Sequence, residues 1–287
     1  MWVKHLLSLG DSFINDKLKL LIPLANFYKS ASLIIEIMKT KTINKIAEIT
    51  LLFWLMKIVA TTLGETLGDF ISMTLNLGYL TGIAITLVFF IALFFNQLKN
   101  INYKPYSFWL LIIATTTLGT EISDFIDRSL NFGYTIGSLI LLIGLLFTLF
   151  VWNKKYDNLI VSPIIEKKKE LYFWITVLFS NSLGTAFGDY LSDVIGFTYL
   201  QGALITATII VFIVMLHYFT KLNEALLFWI AFVFTRPFGA TFGDFLTKPI
   251  AKGGLDLGTF QASIVSIIIM LFLIYSSSIK LNNNSNY

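Results

Sequence analysis

The chain has 287 residues, of which 56% are hydrophobic and only 13% are charged. Soluble domains carry about twice that charged fraction, so the composition excludes an ordinary soluble domain and indicates an integral membrane protein. The lack of cysteine excludes disulfides and thiolate metal sites, and two histidines are too few for a histidine-rich zinc or copper site. We attribute the net charge of +4 to basic residues in cytoplasmic loops rather than to nucleic-acid binding, and therefore expect no nucleic acid partner.

Residues 1–45 are predicted to form a cytoplasmic or interfacial segment. Charged residues interrupt every apolar stretch in it, and no apolar core is followed by a small-residue cleavage site, so we expect no signal peptide. Within this segment, residues 18–38 are predicted to form an amphipathic helix that lies on the membrane surface.

After residue 45 the chain repeats one pattern four times. Each copy begins with Phe-Trp, and a glycine and an aspartate follow 10 and 15 residues after the tryptophan. The tryptophans are Trp54, Trp109, Trp174 and Trp229. A second apolar run follows after a short turn, and roughly 20 apolar residues are enough to span a bilayer as a helix. Each copy therefore predicts two membrane helices.

The tryptophans are 55, 65 and 55 residues apart, and the longer interval contains the polar stretch 153–170. We therefore divide the chain into repeat 1 (46–100), repeat 2 (101–155), repeat 3 with the loop between the halves (156–220), and repeat 4 with the C-terminal tail (221–287). The pattern resembles a widespread bacterial membrane-protein family with four tandem copies of a two-helix domain of unknown function. The resemblance covers residues 46–275 and implies a fold and a bacterial inner-membrane location, but no activity.

The predicted fold is an all-α membrane protein with eight transmembrane helices, built from four parallel repeats with pseudo-symmetry about the membrane normal. Lysines are concentrated between the repeats and in the flanks, whereas the turns within repeats hold only Arg128, Lys248 and Lys252. Basic residues favour the cytoplasmic side, so both termini and the inter-repeat loops are expected there. The sequence predicts a lipid bilayer as partner and leaves the oligomeric state open.

Small residues recur at four-residue spacing in the first helix of each repeat, which lets helix backbones approach closely. We interpret them as packing positions, so that the four first helices meet at the centre and the second helices face lipid. The tryptophans are expected at the cytoplasmic interface, with the aspartates about 22 Å deeper at about 1.5 Å per residue. The packing positions are Gly64, Gly68, Gly119, Ser123, Gly184, Gly188, Gly239 and Gly243.

Ionisable residues inside the predicted membrane helices are the candidate substrate- or ion-binding residues. A central ionised residue costs roughly 2.5–3.5 kcal/mol even on the mildest scales, so each must be paired, protonated, hydrated or bound to a cation. The aspartates could instead cap the second helices or hydrogen-bond to neighbouring hydroxyls. We expect Arg236 to pair with Glu65 or Glu121, and Lys57 to form an ion pair within its own helix or with another. The candidates are Glu65, Asp69, Glu121, Asp124, Asp189, Asp244, Arg236 and Lys57.

The expected function is a secondary transporter or exporter of a small cationic substrate, driven by protons, because desolvated carboxylates can exchange a proton for a cation. Oxygen ligands suit hard cations such as Mg²⁺, Mn²⁺ or Na⁺, and an organic cation stacked on aromatic rings stays open. The alternatives are a cation channel with an acidic ring and a non-transporting membrane scaffold or sensor. We expect no enzyme, since no nucleophile–base pair stands out, and no cofactor, since there is no nucleotide-binding motif.

Overall fold

The computed structural model describes residues 28–30 and 44–285, with side-chain surroundings up to residue 279. The amphipathic helix predicted at residues 18–38 lies almost entirely outside these residues. Among the described residues every regular element is helical. In chain order the long helices are α1 (Leu51–Asp69), α2 (Tyr79–Lys99), α3 (Pro105–Asp124), α4 (Gly133–Tyr156), α5 (Lys167–Asp189), α6 (Tyr199–Phe219), α7 (Glu224–Thr247) and α8 (Thr259–Ser285).

The starts of the helices follow ordinary capping chemistry. The Asn223 side chain accepts hydrogen bonds from two amides in the first turn of α7, and Thr198 and Gln201 form a reciprocal capping box at the start of α6. Pro105 is the first residue of α3, where its missing N–H costs nothing. These residues mark the points at which α3, α6 and α7 begin.

The first helices of three repeats end in a way that the sequence did not predict. Instead of a plain turn, α1, α3 and α5 run directly from their aspartates into single π-helical turns, Phe70–Thr74, Phe125–Ser129 and Tyr190–Val194. In the fourth repeat α7 continues past Asp244 to Thr247, and the 3₁₀ turn Ile250–Lys252 follows. Such π turns are rare and often lie at functional sites.

The first helices of the four repeats close a ring. α1 packs against α3, α3 against α5, α5 against α7, and α7 against α1. Each second helix packs mainly against the first helix of the following repeat: α2 on α3, α4 on α5, α6 on α7, and α8 back on α1. A sequence repeat is therefore not a packing unit, because its two helices contact different neighbours.

Burial separates an inner from an outer set of helices. In α1, α3 and α7, 61–67% of the residues in the most apolar stretch of the helix are buried. In the second helices only 11–28% of the corresponding residues are buried. The outer helices expose large apolar side chains such as Phe89, Phe147 and Phe272. The expectation that the first helices meet at the centre and the second helices lie outside is met by these contacts.

Seven helices in the described part are long and apolar enough to cross a membrane. Helix α5 is not among them, although the sequence predicted eight spans. Its first turn holds Lys167, Lys168, Lys169 and Glu170, and polar residues such as Asn181 continue along its buried face. Because α5 lies between α3 and α7 in the ring, its polar side chains meet protein rather than an apolar medium.

The end of the ring at which the first helices begin, the tryptophan end, is filled by aromatic residues. Each repeat contributes one buried phenylalanine to a single core, and the rings of Phe108 and Phe173 lie 6.5 Å apart. We expected the tryptophans at the lipid interface, but Trp109, Trp174 and Trp229 are at most 3% exposed. Connecting segments cover Trp109 and Trp229, and Trp174 packs against Phe108. The four phenylalanines are Phe53, Phe108, Phe173 and Phe228.

Two connecting segments close the tryptophan end. Trp109 donates to the Tyr103 hydroxyl at 3.0 Å, and Trp229 donates to the Leu159 carbonyl at 3.1 Å. Burial raises the pKa of Tyr103 to about 12 despite that hydrogen bond, so the phenol stays neutral here. Beside them, the buried Lys45 ammonium forms an ion pair with Glu170 in the first turn of α5.

Candidate ion-binding site

The glycines of the first helices let the ring close. A Cβ at Gly64 would overlap the Thr116 side chain, and one at Gly119 would meet Asn181 at 3.0 Å. The series continues with Gly184 against Arg236 and Gly239 against Thr61. Each glycine thus accommodates the residue at one aligned position of the next repeat, and the fourth contact returns to the first repeat. The bulk of an added side chain at these glycines would push the helices apart.

Arg236 projects from α7 into the ring and is fully buried. Its Nη2 atom lies 2.8 Å from Glu65 Oε2, 2.5 Å from Thr120 Oγ1 and 2.6 Å from Thr185 Oγ1. These three partners stand at aligned positions of repeats 1, 2 and 3, and the fourth such position is Ala240. Of the two partners expected for Arg236, Glu65 is the one that it contacts.

Lys57 is also fully buried but forms no ion pair with any residue that the structure describes, contrary to our expectation. Its Nζ donates to Asn181 Oδ1 at 2.9 Å and lies 4.0 Å from the centre of the Phe232 ring. Within residues 44–285 no carboxylate lies within 4.0 Å of this ammonium. The sequence placed it two turns from Glu65 on a similar face, but the ring turns Lys57 toward α5 and α7.

Two basic residues bridge the four aspartates in pairs. Arg128 lies 3.1 Å from Asp189 and 3.6 Å from Asp124, four residues before it on the same helix. Lys248 repeats the arrangement at 2.6 Å from Asp69 and 3.2 Å from Asp244. Each base therefore joins the aspartate of its own repeat to that of the next repeat around the ring. The exposed fraction of all four aspartates is at most 4%.

We assigned Arg128 and Lys248 to the turns within repeats, and the structure adds that both side chains pair with buried aspartates. The signal was available in part, because each lies four residues after an aspartate and so on the same helix face. It could not show the second partner, which depends on the order of the helices around the ring. The alternatives in which the aspartates cap second helices or bond to hydroxyls are not what these contacts show.

Three buried carboxylates from three repeats converge inside the ring. Glu65, Asp189 and Asp244 each offer one oxygen, and these oxygens lie within 4.8 Å of one another. Their positive neighbours are Arg236 at Glu65, Arg128 at Asp189 and Lys248 at Asp244. Carboxylate oxygens at this spacing are the donors that hard cations take. We call these three residues the carboxylate trio.

The other predicted acid, Glu121, does not join this cluster. It lies against Gly82 of α2 and accepts a hydrogen bond from Thr86 on the same outer helix. Sequence reasoning missed another acid, Asp127, which is buried against Gly137 of α4 and accepts from Ser123 at 3.3 Å. The buried acids thus separate into an inner group and two residues, Glu121 and Asp127, that face the outer helices α2 and α4.

The described cavities lie away from the charged groups. A space of about 390 Å³ opens between α4, α5 and α7 and is lined by apolar residues such as Leu142, Phe187 and Val233. A second space of about 330 Å³ lies between α1, α7 and α8, beside Val59, Phe242 and Val265. Both have the apolar lining expected of crevices filled by hydrocarbon, and neither touches the carboxylate trio.

Comparison with known proteins identifies the repeat but not an activity. A family model described as a Repeat of Unknown Function (DUF347) matches four times, at residues 52–100, 107–155, 172–223 and 227–279. The chain matches no curated protein and no solved structure. The four tandem copies predicted from the sequence are confirmed. Since the matches cover well over half of the chain, it belongs to the DUF347 family of repeat proteins.

Proposed function

We propose that the protein is a secondary transporter or exporter of a small cationic substrate, coupled to protons through its intramembrane carboxylates. The observation that carries the proposal is the carboxylate trio, whose three oxygens lie within 4.8 Å of one another in a buried setting. Buried carboxylates without a cation favour their protonated form, and a bound cation favours the ionised form. Exchange of protons for a cation at one site is the chemistry of an antiporter.

The substrate class follows from the donors and the packing. All the ligands available at the trio are oxygens, including the hydroxyls of Thr120 and Thr185 next to Arg236. Oxygen donors suit hard cations such as Mg²⁺, Mn²⁺ or Na⁺. The Arg236 guanidinium lies 2.8 Å from Glu65, so an entering cation would compete with it for that carboxylate. A small inorganic cation is therefore favoured over an organic one.

The proposal includes a placement in the membrane. Helix α5 would be the eighth span, shielded by α3 and α7. The four repeats would run parallel about an axis along the membrane normal, in a bacterial inner membrane. The exposed lysines near the tryptophan end, such as Lys104 and Lys168, support a cytoplasmic location for that end and for both termini.

A non-transporting scaffold or sensor is the second candidate, and one observation favours it. Arg128 and Lys248 each join aspartates of two repeats, so the acids already serve as cross-links of the ring. The same pairing speaks against a cation channel, because a conducting acidic ring gains little from resident bases on its aspartates. Flux measurements separate these candidates.

The test is transport into proteoliposomes, with Mn²⁺, Mg²⁺ and Na⁺ as probes and with and without a pH gradient. We expect flux of at least one cation that depends on the gradient. Asp189→Asn should weaken it about 10- to 100-fold, the range for one lost charge-assisted contact. Glu224→Gln is the matched control, because Glu224 is an exposed acid on α7.

Three other results would reject the proposal. Absence of flux for every probe would favour the scaffold. Large currents in planar bilayers that ignore the pH gradient would favour the channel. Equal flux from the Asp189→Asn and Glu224→Gln variants would show that the carboxylate trio does not bind the cation.

A further inference from the structure

Glu121 occupies a contact between the inner ring and an outer helix. It lies 12 residues after the tryptophan of its repeat, and the aligned residues of two other repeats also meet a second helix. The Thr66 hydroxyl bonds to Ser263 of α8 at 2.9 Å, and Thr241 lies against Gly202 of α6. The third repeat has an alanine at this position. Neutral side chains therefore suffice for the contact in three repeats, and repeat 2 alone places a carboxyl group there.

The Glu121 side chain is fully buried and has no base beside it. Within the described residues no lysine or arginine nitrogen lies within 4.0 Å of its oxygens. In the same part of the chain Oε2 contacts the Thr86 hydroxyl of α2, while Oε1 is buried without a hydrogen-bond partner. An ionised carboxylate here would be an uncompensated buried charge, and a group in such a place takes up a proton instead.

The bases of the ring are already paired with other groups. Arg236, Arg128 and Lys248 form ion pairs with the five inner acids, which already outnumber them. Lys57 donates to an amide oxygen of α5. Further acids close to Glu121 make its ionised form less favourable still. At its level in the ring, the ionisable residues of α3 and of the helices packed on it are Glu65, Asp69, Tyr79, Asp124 and Asp189.

The hydrogen atoms available at Thr86 fit a protonated Glu121. The Thr86 Oγ1 atom lies 3.0 Å from the Gly82 carbonyl oxygen and also contacts Glu121 Oε2. A hydroxyl group has one hydrogen to donate and two lone pairs that accept. If Glu121 carries a proton, it donates to Thr86 and Thr86 donates to Gly82, so both contacts are hydrogen bonds. If Glu121 is ionised, the single Thr86 hydrogen serves one of the two.

We infer that Glu121 is a proton-binding site separate from the carboxylate trio, and that it holds its proton while α2 packs on α3. Release of the proton would leave a bare charge between the two helices, so it requires them to separate or to admit water. The adjacent residue Thr120 contacts Arg236 Nη2 at 2.5 Å and Glu65 Oε2 at 3.4 Å, which links a movement of α3 to the trio. The proton site stands without the proposed function, whereas its use for coupling rests on that function.

Infrared spectroscopy of the purified full chain in lipid nanodiscs at neutral pH tests the site. The C=O stretch of a protonated carboxyl group is separate from the bands of a carboxylate ion. We expect a protonated-carboxyl band that Glu121→Gln removes. The same band should remain in Glu224→Gln, at an exposed acid, and in Asp127→Asn, at the other buried acid that faces an outer helix. A wild-type spectrum without this band, or one that Glu121→Gln leaves unchanged, would overturn the inference.

A second variant keeps the test decisive if Glu121→Gln fails to fold. Thr86→Val preserves the shape of the side chain but removes the hydroxyl that contacts Glu121 Oε2. The protonated-carboxyl band should therefore shift in Thr86→Val, because the hydrogen bonding of its carboxyl group changes. A band that keeps its position in this variant does not come from Glu121 and would contradict the assignment.

Flux in proteoliposomes tests the coupling role separately. Glu121→Gln should lose the dependence of cation flux on the pH gradient, while Glu224→Gln should keep it. Gradient-dependent flux in Glu121→Gln would overturn the coupling role. A wild type that moves no cation but shows the protonated-carboxyl band would reject the proposed function and leave the proton site intact, so the two can fail independently.

Discussion

The contact between Arg236 and Glu65 gives the sharpest prediction for stability. Replacing Arg236 by methionine keeps the methylene groups that pack against Gly184 but removes the guanidinium. Glu65 then loses its partner at 2.8 Å while it remains 3% exposed. Breaking a buried ion pair by removing one partner costs about 3–5 kcal/mol, because an uncompensated charge stays behind.

The second step of this double-mutant cycle removes the unpaired charge of Glu65. Glu65→Gln in the Arg236→Met background leaves a neutral amide that can still bond to Thr120. We expect the double variant to be more stable than Arg236→Met by about 2 kcal/mol or more, since a pair replaced on both sides can be nearly neutral. The two effects should therefore be strongly non-additive, as contacting residues are.

The assay is reversible unfolding in mixed micelles with a denaturing detergent, followed by tryptophan fluorescence. Three of the four repeat tryptophans are buried at one end of the ring, so their emission reports on its opening. The wild type, both single variants and the double variant complete the cycle. If the changes in unfolding free energy of the two single variants sum to that of the double variant within about 0.5 kcal/mol, the two groups do not interact and the ion pair is refuted.

Three more predictions test the ring, the aspartate pairs and the orientation. In the same unfolding assay Gly64→Ala should destabilise the protein by about 1–3 kcal/mol, because its Cβ would overlap Thr116. Gly188→Ala, whose Cβ would have its closest neighbour at 3.1 Å, should cost clearly less, and equal costs would contradict the close packing. Lys248→Met should lower the free energy of unfolding by about 1.5–3 kcal/mol, because it leaves Asp69 and Asp244 without their base. Lys252→Met, at an exposed lysine, should have little effect, and similar unfolding midpoints for the two variants would exclude the bridge. Since the chain has no cysteine, Lys168→Cys and Ser129→Cys can be labelled one at a time. An impermeant thiol reagent applied outside the cell should label only Ser129→Cys, and the opposite pattern would invert the topology.

The repeats and the packing of the ring could be predicted from the sequence because they depend on spacing alone. The small residues at four-residue intervals predicted close helix contacts, and Gly64 and Gly119 make them. The depth of the aspartates in the membrane, derived from the same helical rise, stays a prediction. Local spacing thus specified which residues point inward in every repeat.

The partners of those residues could not be predicted in the same way. The contact of Arg128 with Asp189 joins repeats 2 and 3, and that of Lys248 with Asp69 joins repeats 4 and 1. Such contacts require knowing that the first helices follow chain order around a closed ring. The burial of Trp109 was missed for a related reason, because it depends on Tyr103 in a connecting segment folding over it.

The breaks in the repeat pattern concentrate charge inside the ring. At one aligned position three repeats carry oxygen-bearing side chains, Glu65, Thr120 and Thr185, and all three contact a single nitrogen of Arg236. The fourth repeat has Ala240 there and supplies the arginine from one turn earlier on the same helix. A ring held together only by packing would need none of these four polar groups. Their convergence costs desolvation, and this cost supports the proposal that the ring holds an ion site.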